Sequence, residues 1–195
     1  MAWQVREIKR SHLYGMLGTA VLLSSGCSSG KPGYDYAIPP QICGIGVDRS
    51  ALKPIIPPGK EGKAIEVGAN DSEHQTCWVV IDKKRELGIS ILRDNGVDNS
   101  AEYWEQEFKN FRRISLNGVA TSAGVADDGA AAMMKCQPKP GQPQEEMPNF
   151  PYTHLRLKIE VGDGAKNPED VTDRRAGMER FMRSYIPELT KAWCR

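Results

Sequence analysis

A chain of 195 residues, 26% charged and 39% hydrophobic, has the composition of one globular domain with short appendages, which excludes a disordered polymer and a polytopic membrane bundle. Formal net charge is +1, and Arg6, Lys9 and Arg10 stand against Glu7 alone in the first ten residues, so the rest of the chain is close to neutral. Beyond short clusters such as Lys83-Lys84-Arg85 there is no basic stripe to release counterions from phosphates, and nucleic acid is not an expected partner.

Arg6, Lys9 and Arg10 precede an apolar run from Leu13 to Leu23 that ends in Ser24-Ser25-Gly26-Cys27. A helix over residues 13–25 would be about 20 Å long, short of a hydrocarbon core of roughly 30 Å. Residues 1–27 are therefore predicted to be a signal peptide rather than a permanent span. The Ser-Ser-Gly-Cys ending resembles the lipobox of bacterial lipoproteins, in which small residues precede a cysteine thioether-linked to a diacylglyceryl group. Ser24 stands where that pattern carries a bulky aliphatic, and Leu23 lies one residue further back. The resemblance implies lipid attachment at Cys27 and a place on the extracytoplasmic face of the cytoplasmic membrane. Acyl chains such as palmitate would hold it there at about 0.8 kcal/mol per buried CH₂. The alternative is plain secretion, with Cys27 left as a free thiol.

Five cysteines are an odd number for an exported chain. With Cys27 lipidated, Cys43, Cys77, Cys136 and Cys194 remain for two disulfides, in any of three pairings. No Cys-x-x-Cys pair is present, so zinc or redox chemistry is not expected.

Residues 28–40, rich in Ser, Gly, Pro and Tyr without apolar period, read as a flexible tether, and residues 41–195 as one domain. Asp48 is placed to cap a short helix through about Ile56, ended by Pro57-Pro58-Gly59. Lys63 to Ala69 is a predicted strand. Gln75 to Asp82 and Glu86 to Leu92, separated by Lys83-Lys84-Arg85, form a predicted hairpin with Cys77, Val79 and Ile81 on one face and Leu87, Ile89 and Ile91 as the matching stripe. After Asp94-Asn95-Gly96, Asn99 is placed to cap a helix from Ser100 to Phe111 whose Trp104, Phe108 and Phe111 share a core-facing stripe. A strand near Arg113 to Leu116 comes next. The small apolar run from Gly118 to Ala132 reads as strand, turn and strand, its small side chains suited to close packing or, alternatively, to housing a small apolar ligand. Strands are predicted over Gly129 to Gln137 and Tyr152 to Val161, joined by an exposed Pro-rich loop from Pro138 to Pro151. A long helix runs from about Pro168 to Trp193, with Pro187 expected to kink its last turns.

That order is α+β, an antiparallel sheet covered by helices. It favours the pairings Cys43–Cys77 and Cys136–Cys194, each closure contributing about 4 kcal/mol on the loop-entropy model.

Catalytic signals are sparse. His74 and His154 lack companions at metal-ligand spacing, no Gly-x-Ser-x-Gly elbow is present, and the glycine runs at residues 44–46 and 59–62 lack a phosphate-binding ending. The acidic pairs Asp127-Asp128, Glu145-Glu146 and Glu169-Asp170 read as solvated or capping carboxylates. No catalytic, metal or cofactor-binding residue is assigned, and no cofactor is expected.

Pro40-Gln41-Ile42-Cys43-Gly44, the strand Thr76-Cys77-Trp78-Val79 and the terminal Phe181-Met182 to Tyr185 helix ending in Cys194, together with the leader, resemble small actinobacterial lipoproteins of unassigned function. Related mycobacterial lipoproteins are similar to the PsbP-like α/β/α sandwich, and the resemblance implies that fold here without bringing a catalytic residue. The expectation is a cell-envelope lipoprotein that binds a protein or a small apolar ligand without catalysis. The alternative is an envelope hydrolase with an unrecognised carboxylate site.

Overall fold

The computed structural model describes residues 33–67, 74–95, 101–139, 152–162 and 169–195. The leader with Cys27, the capping Asn99, Pro168 and most of the Pro-rich loop lie outside them.

Cys43 and Gly44 take left-handed φ values of 52° and 70°, which turns β1 (Gln41–Ile42) back on β2 (Ile45–Gly46). Gly44 meets that requirement without steric cost, and Cys43 is held in it by its bond to Cys77. Asp48 then caps α1 (Arg49–Leu52) by accepting from Ser50 N at 2.8 Å, and a 3₁₀ turn over Lys53–Ile55 follows.

The strands that follow are β3 (Gly62–Val67), β4 (His74–Ile81), β5 (Lys84–Asp94), β6 (Arg112–Arg113), β7 (Ser122–Val125), β8 (Gly129–Lys135) and β9 (His154–Val161). They form one sheet in the order β3-β4-β5-β9-β8-β7-β6, antiparallel at every pairing. Two helices complete the domain, α2 (Ala101–Glu107) and α3 (Val171–Trp193).

Side chains alternate across the sheet, so each face has its own core. On one face Cys77, Val79, Leu87, Ile89, Ile91, Leu155, Leu157 and Ile159 are buried under α3, whose Met178, Phe181, Met182, Tyr185, Ile186 and Leu189 recur at helical spacing. On the other, Trp104 of α2 and Phe108 just past its end, with Phe111 alongside, cover Ala126, Ala131 and Met133. The aromatic stripe is thus core, although α2 ends at Glu107. Asn110, at φ 54°, turns the chain before Phe111.

Both ends of α3 are fixed. At its start Asp170 accepts from Thr172 N and Asp173 N, Arg174 Nε donates to Asp127 O at 2.7 Å, and Arg175 pairs with Asp127. At its end Cys194 bonds Cys136, with Cα atoms 5.1 Å apart, and Arg195 N donates to Gln137 O. Cys43 and Cys77 form the second disulfide, Cα atoms 5.6 Å apart, so both bonds follow the pairing that element order favours. Pro187 lies inside α3, which continues past it to Trp193.

The tether expected up to Pro40 gives way to packed structure earlier. Tyr34 bridges to Gly59, Tyr34 Oη donates to Lys53 O and Ile56 O, and Tyr36 Oη donates to Pro57 O at 2.7 Å. The segment anchors through hydroxyl-to-carbonyl bonds, which leave no apolar period in a sequence. The strand expected over Arg113 to Leu116 shortens to Arg112–Arg113, because Leu116 turns into the core.

The small residues of 118–132 serve close packing. A Cβ on Gly124 would lie 2.2 Å from the Phe111 ring and 2.7 Å from Arg112 O, and one on Gly129 would lie 2.2 Å from Ile159 O. Ala130, Ala131 and Ala132 are fully buried. Gly129→Ala is expected to destabilise the domain by about 1–3 kcal/mol through overpacking against β9, read as a lowered midpoint in urea. Replacing Cys136 and Cys194 together by alanine is expected to cost about 2–5 kcal/mol in the same measurement.

Candidate functional site

The outer face of β3, β4 and β5 lies beyond the α2 cluster and carries a groove. Its geometry begins at the β4–β5 turn. Asp82 and Lys83 take φ values of 47° and 69°, so Ile81 faces Lys84 across a two-residue loop. The Asp82 carboxylate accepts from Lys60 N at 3.0 Å and Glu61 N at 2.9 Å, and those donors hold its pKa below the usual carboxylate range, Glu61 N contributing most. Asp82 N returns a bond to Glu61 O. Gly59 in turn is bracketed by Gly33 and Asp35 through two backbone bonds, so the chain enters the domain beside this turn.

Val79 pairs with Leu87 but Val80 pairs with Arg85, which leaves Glu86 as the extra residue of a bulge. The bulge keeps Leu87 under α3 while Arg85 stands on the outer face opposite Val80. The β3–β4 register places Lys63 opposite Val80 and Ile65 opposite Trp78. Lys63, Ile65, Val80 and Arg85 thereby line a half-open groove of about 410 Å³, closed at one end by Glu61, Gly62 and Lys83.

Beside the groove the Trp78 indole occupies the space above Gly88, where a Cβ would approach it to 2.9 Å. The Arg85 guanidinium sits 5.5 Å from the Trp78 ring centroid, a cation–π contact of about 0.5–1 kcal/mol at a partly exposed site. Among the described residues none of Lys63, Lys83 and Arg85 forms an ion pair. The lining therefore sets three cations against the single carboxylate of Glu61, over an apolar floor of Ile65 and Val80. It holds no serine, cysteine or histidine. Such a surface can attract an anion that carries an apolar portion, and it offers no nucleophile paired with a base.

The residues singled out in the sequence lie elsewhere. His74 is exposed, its Nε2 3.1 Å from Thr76 Oγ1, and His154 Nδ1 is 2.9 Å from Thr153 Oγ1. Strand β5 runs between them. Asp127 accepts from Asn110 Nδ2 at 2.8 Å and pairs with Arg175, which together hold its pKa below the usual range, Asn110 first. Asp128 accepts from Lys109 N at 3.1 Å, and Asp170 caps α3. These carboxylates tie the β7–β8 turn and the chain after α2 to the start of α3. Glu145-Glu146 lies outside the described residues, as does Cys27. No group of three His, Cys, Asp or Glu among the described residues is placed to hold a metal ion. No described helix is long and apolar enough to cross a membrane.

Sequence reasoning missed the groove because Lys63 and Arg85 become neighbours only through the β3–β4–β5 register. The available signal was their position opposite to the apolar stripes in their strands. Comparison with protein-family models, curated proteins and solved structures finds no match to the chain.

Glu86, placed by the bulge, is buried, and that burial raises its carboxyl pKa above the ordinary value, with Lys84 opposing. The folded chain thus holds this proton more tightly than the unfolded chain. Its stabilising contribution is present below the ordinary carboxylate pKa and is lost as pH rises through the folded value. Glu86→Gln is expected to raise Tm at pH 7 and to flatten the stability profile between pH 4 and 7, roughly the span from the ordinary carboxylate pKa to neutrality. An unchanged profile would place the carboxyl in water.

Proposed function

We propose that the chain is a membrane-anchored cell-envelope lipoprotein whose domain binds a protein or small ligand and does not catalyse a reaction. The observation that carries this reading is the cysteine pairing. Cys43, Cys77, Cys136 and Cys194 satisfy one another in two disulfides, so none of them remains to partner Cys27. Disulfides persist in oxidising compartments, which agrees with export, and thioether linkage to a lipid gives the fifth cysteine a role.

The binding half of the reading is supported by the half-open cationic groove over Ile65 and Val80. The non-catalytic half is supported by the engagement of Asp127, Asp128 and Asp170 in structural hydrogen bonds, which removes them as convergent acids. An antiparallel sheet with α3 on one face and α2 on the other is consistent with a PsbP-like α/β/α arrangement.

Cys27→Ser tests the anchor. The expected outcome in the native cell is transfer from the membrane fraction to the medium, or a block in leader removal. Undiminished retention of a processed chain in the membrane fraction would contradict the anchor.

A further inference from the structure

We propose that the groove between β3 and the β4–β5 turn docks the headgroups of anionic phospholipids in the membrane to which Cys27 tethers the chain. The proposal rests on the lipid-anchor reading and names the ligand of the groove described above.

Chain geometry supplies the first argument. The described chain begins at Gly33, whose carbonyl accepts from Gly59 N, and Gly59 is two residues from the Glu61-Gly62 end of the groove. From Cys27 to Gly33 there are six residue steps, which span at most about 22 Å in any conformation. A lipid on Cys27 thus keeps this end of the sheet within one short tether of the headgroups.

Charge supplies the second argument. Lys63, Lys83 and Arg85 carry no ionic partner among the described residues, and Lys60 and Lys84 flank the same turn. The Asp82 carboxylate of the turn accepts from the N–H groups of Lys60 and Glu61 and offsets the charges of Lys60 and Lys84, so the groove's own excess of charge is that of Lys63, Lys83 and Arg85 over Glu61. Attraction of a few cations to a headgroup layer is weak alone and decays over a Debye length of about 8 Å at physiological salt. Tethering makes it effective, because the anchor raises the local concentration of headgroups at the groove.

The lining supplies the third. Ile65 and Val80 form an apolar floor between the cations, and Trp78 lies alongside, half-buried with its ring beneath Arg85. Aromatic rings with one apolar and one wet side suit the interfacial zone of a bilayer, and a glycerophosphate with the start of its acyl chains matches a cationic rim over apolar residues.

The test compares two full-length chains that both carry Cys27→Ser, one of them also carrying Lys63→Gln, Lys83→Gln and Arg85→Gln. Both keep the same leader, so its membrane affinity cancels in the comparison, and lipidation plays no part. Binding is measured by sedimentation with vesicles of phosphatidylcholine alone and of phosphatidylcholine mixed with phosphatidylglycerol. The triple variant is expected to lose roughly tenfold or more in affinity for the mixed vesicles at low salt, with no change on phosphatidylcholine alone. Glu61→Gln, which removes the only acid of the lining, is expected to tighten binding to the mixed vesicles. Equal binding by both chains with no effect of Glu61→Gln would overturn the proposal. So would full displacement from mixed vesicles by free glycerol phosphate at equal phosphate concentration, which would assign the groove to a soluble anion. Failure of the anchor would show separately, as undiminished retention of the processed Cys27→Ser chain in cell membranes.

Discussion

The pairing of β5 with β9 is the constraint on which the remaining structure depends. Ile89 faces Ile159 and Ile91 faces Leu157 across it, all four without solvent exposure, and α3 lies over them. Each such side chain contributes about 1.5–3 kcal/mol when buried. Because side chains alternate along a strand, a slip of one residue in this pairing would turn every aliphatic to the wrong face. The register of these two strands therefore fixes which residues β4 and β8 present to α3. The disulfides then act at the margins: Cys77 in β4 holds the β1–β2 turn, and Cys136 after β8 holds the end of α3. With the Asp127–Arg175 contact at its start, α3 is clamped at both termini over the larger of the two cores.

Sealing one face has a consequence on the other. Helix α2 has only two turns, so Trp104 from the helix and Phe108 from just beyond it shield Ala131 and Met133, while Glu107 reaches Lys158 on β9. Beyond it the outer face of β3–β5 carries Trp78, Val80 and Ile65 among cations. A bulge at Glu86 is what makes this possible, because without the extra residue Arg85 and Leu87 would not hold their present faces relative to β4. The same buried Glu86 is a local liability for stability at neutral pH. A strained or unfavourable position that shapes an exposed surface is a recurring mark of functional regions.

Much of this fold is legible in the sequence, for identifiable reasons. The hairpin, the β9 alternation and the α3 stripe are legible because long periodic runs state their own geometry, and the disulfide pairs follow once those runs are ordered. What is hidden depends on contacts between distant segments. Asp82-Lys83 forms a tight turn without the Asn-Gly or Asp-Gly signal, so the expected three-residue connection shortens and β5 begins at Lys84. The Tyr34 and Tyr36 contacts lie in a stretch that reads as linker because polar bonds from phenol hydroxyls carry no periodicity. Phe111 packs against Trp104 and Phe108 from beyond the helix end, by way of the left-handed Asn110. The groove is the least legible feature, since it exists only where three strands lie side by side.

On the proposed reading, the open cationic strip beside the Gly33–Gly59 contact rests on the membrane that holds the anchor. The most direct measurement is photo-cross-linking of the mature protein in its own membrane to a photoactivatable anionic phospholipid, followed by peptide mapping. The account predicts adducts concentrated in the peptides that contain Lys63 and Lys83 to Arg85. Adducts concentrated on the exposed side of α3, or spread evenly over the domain, would contradict it.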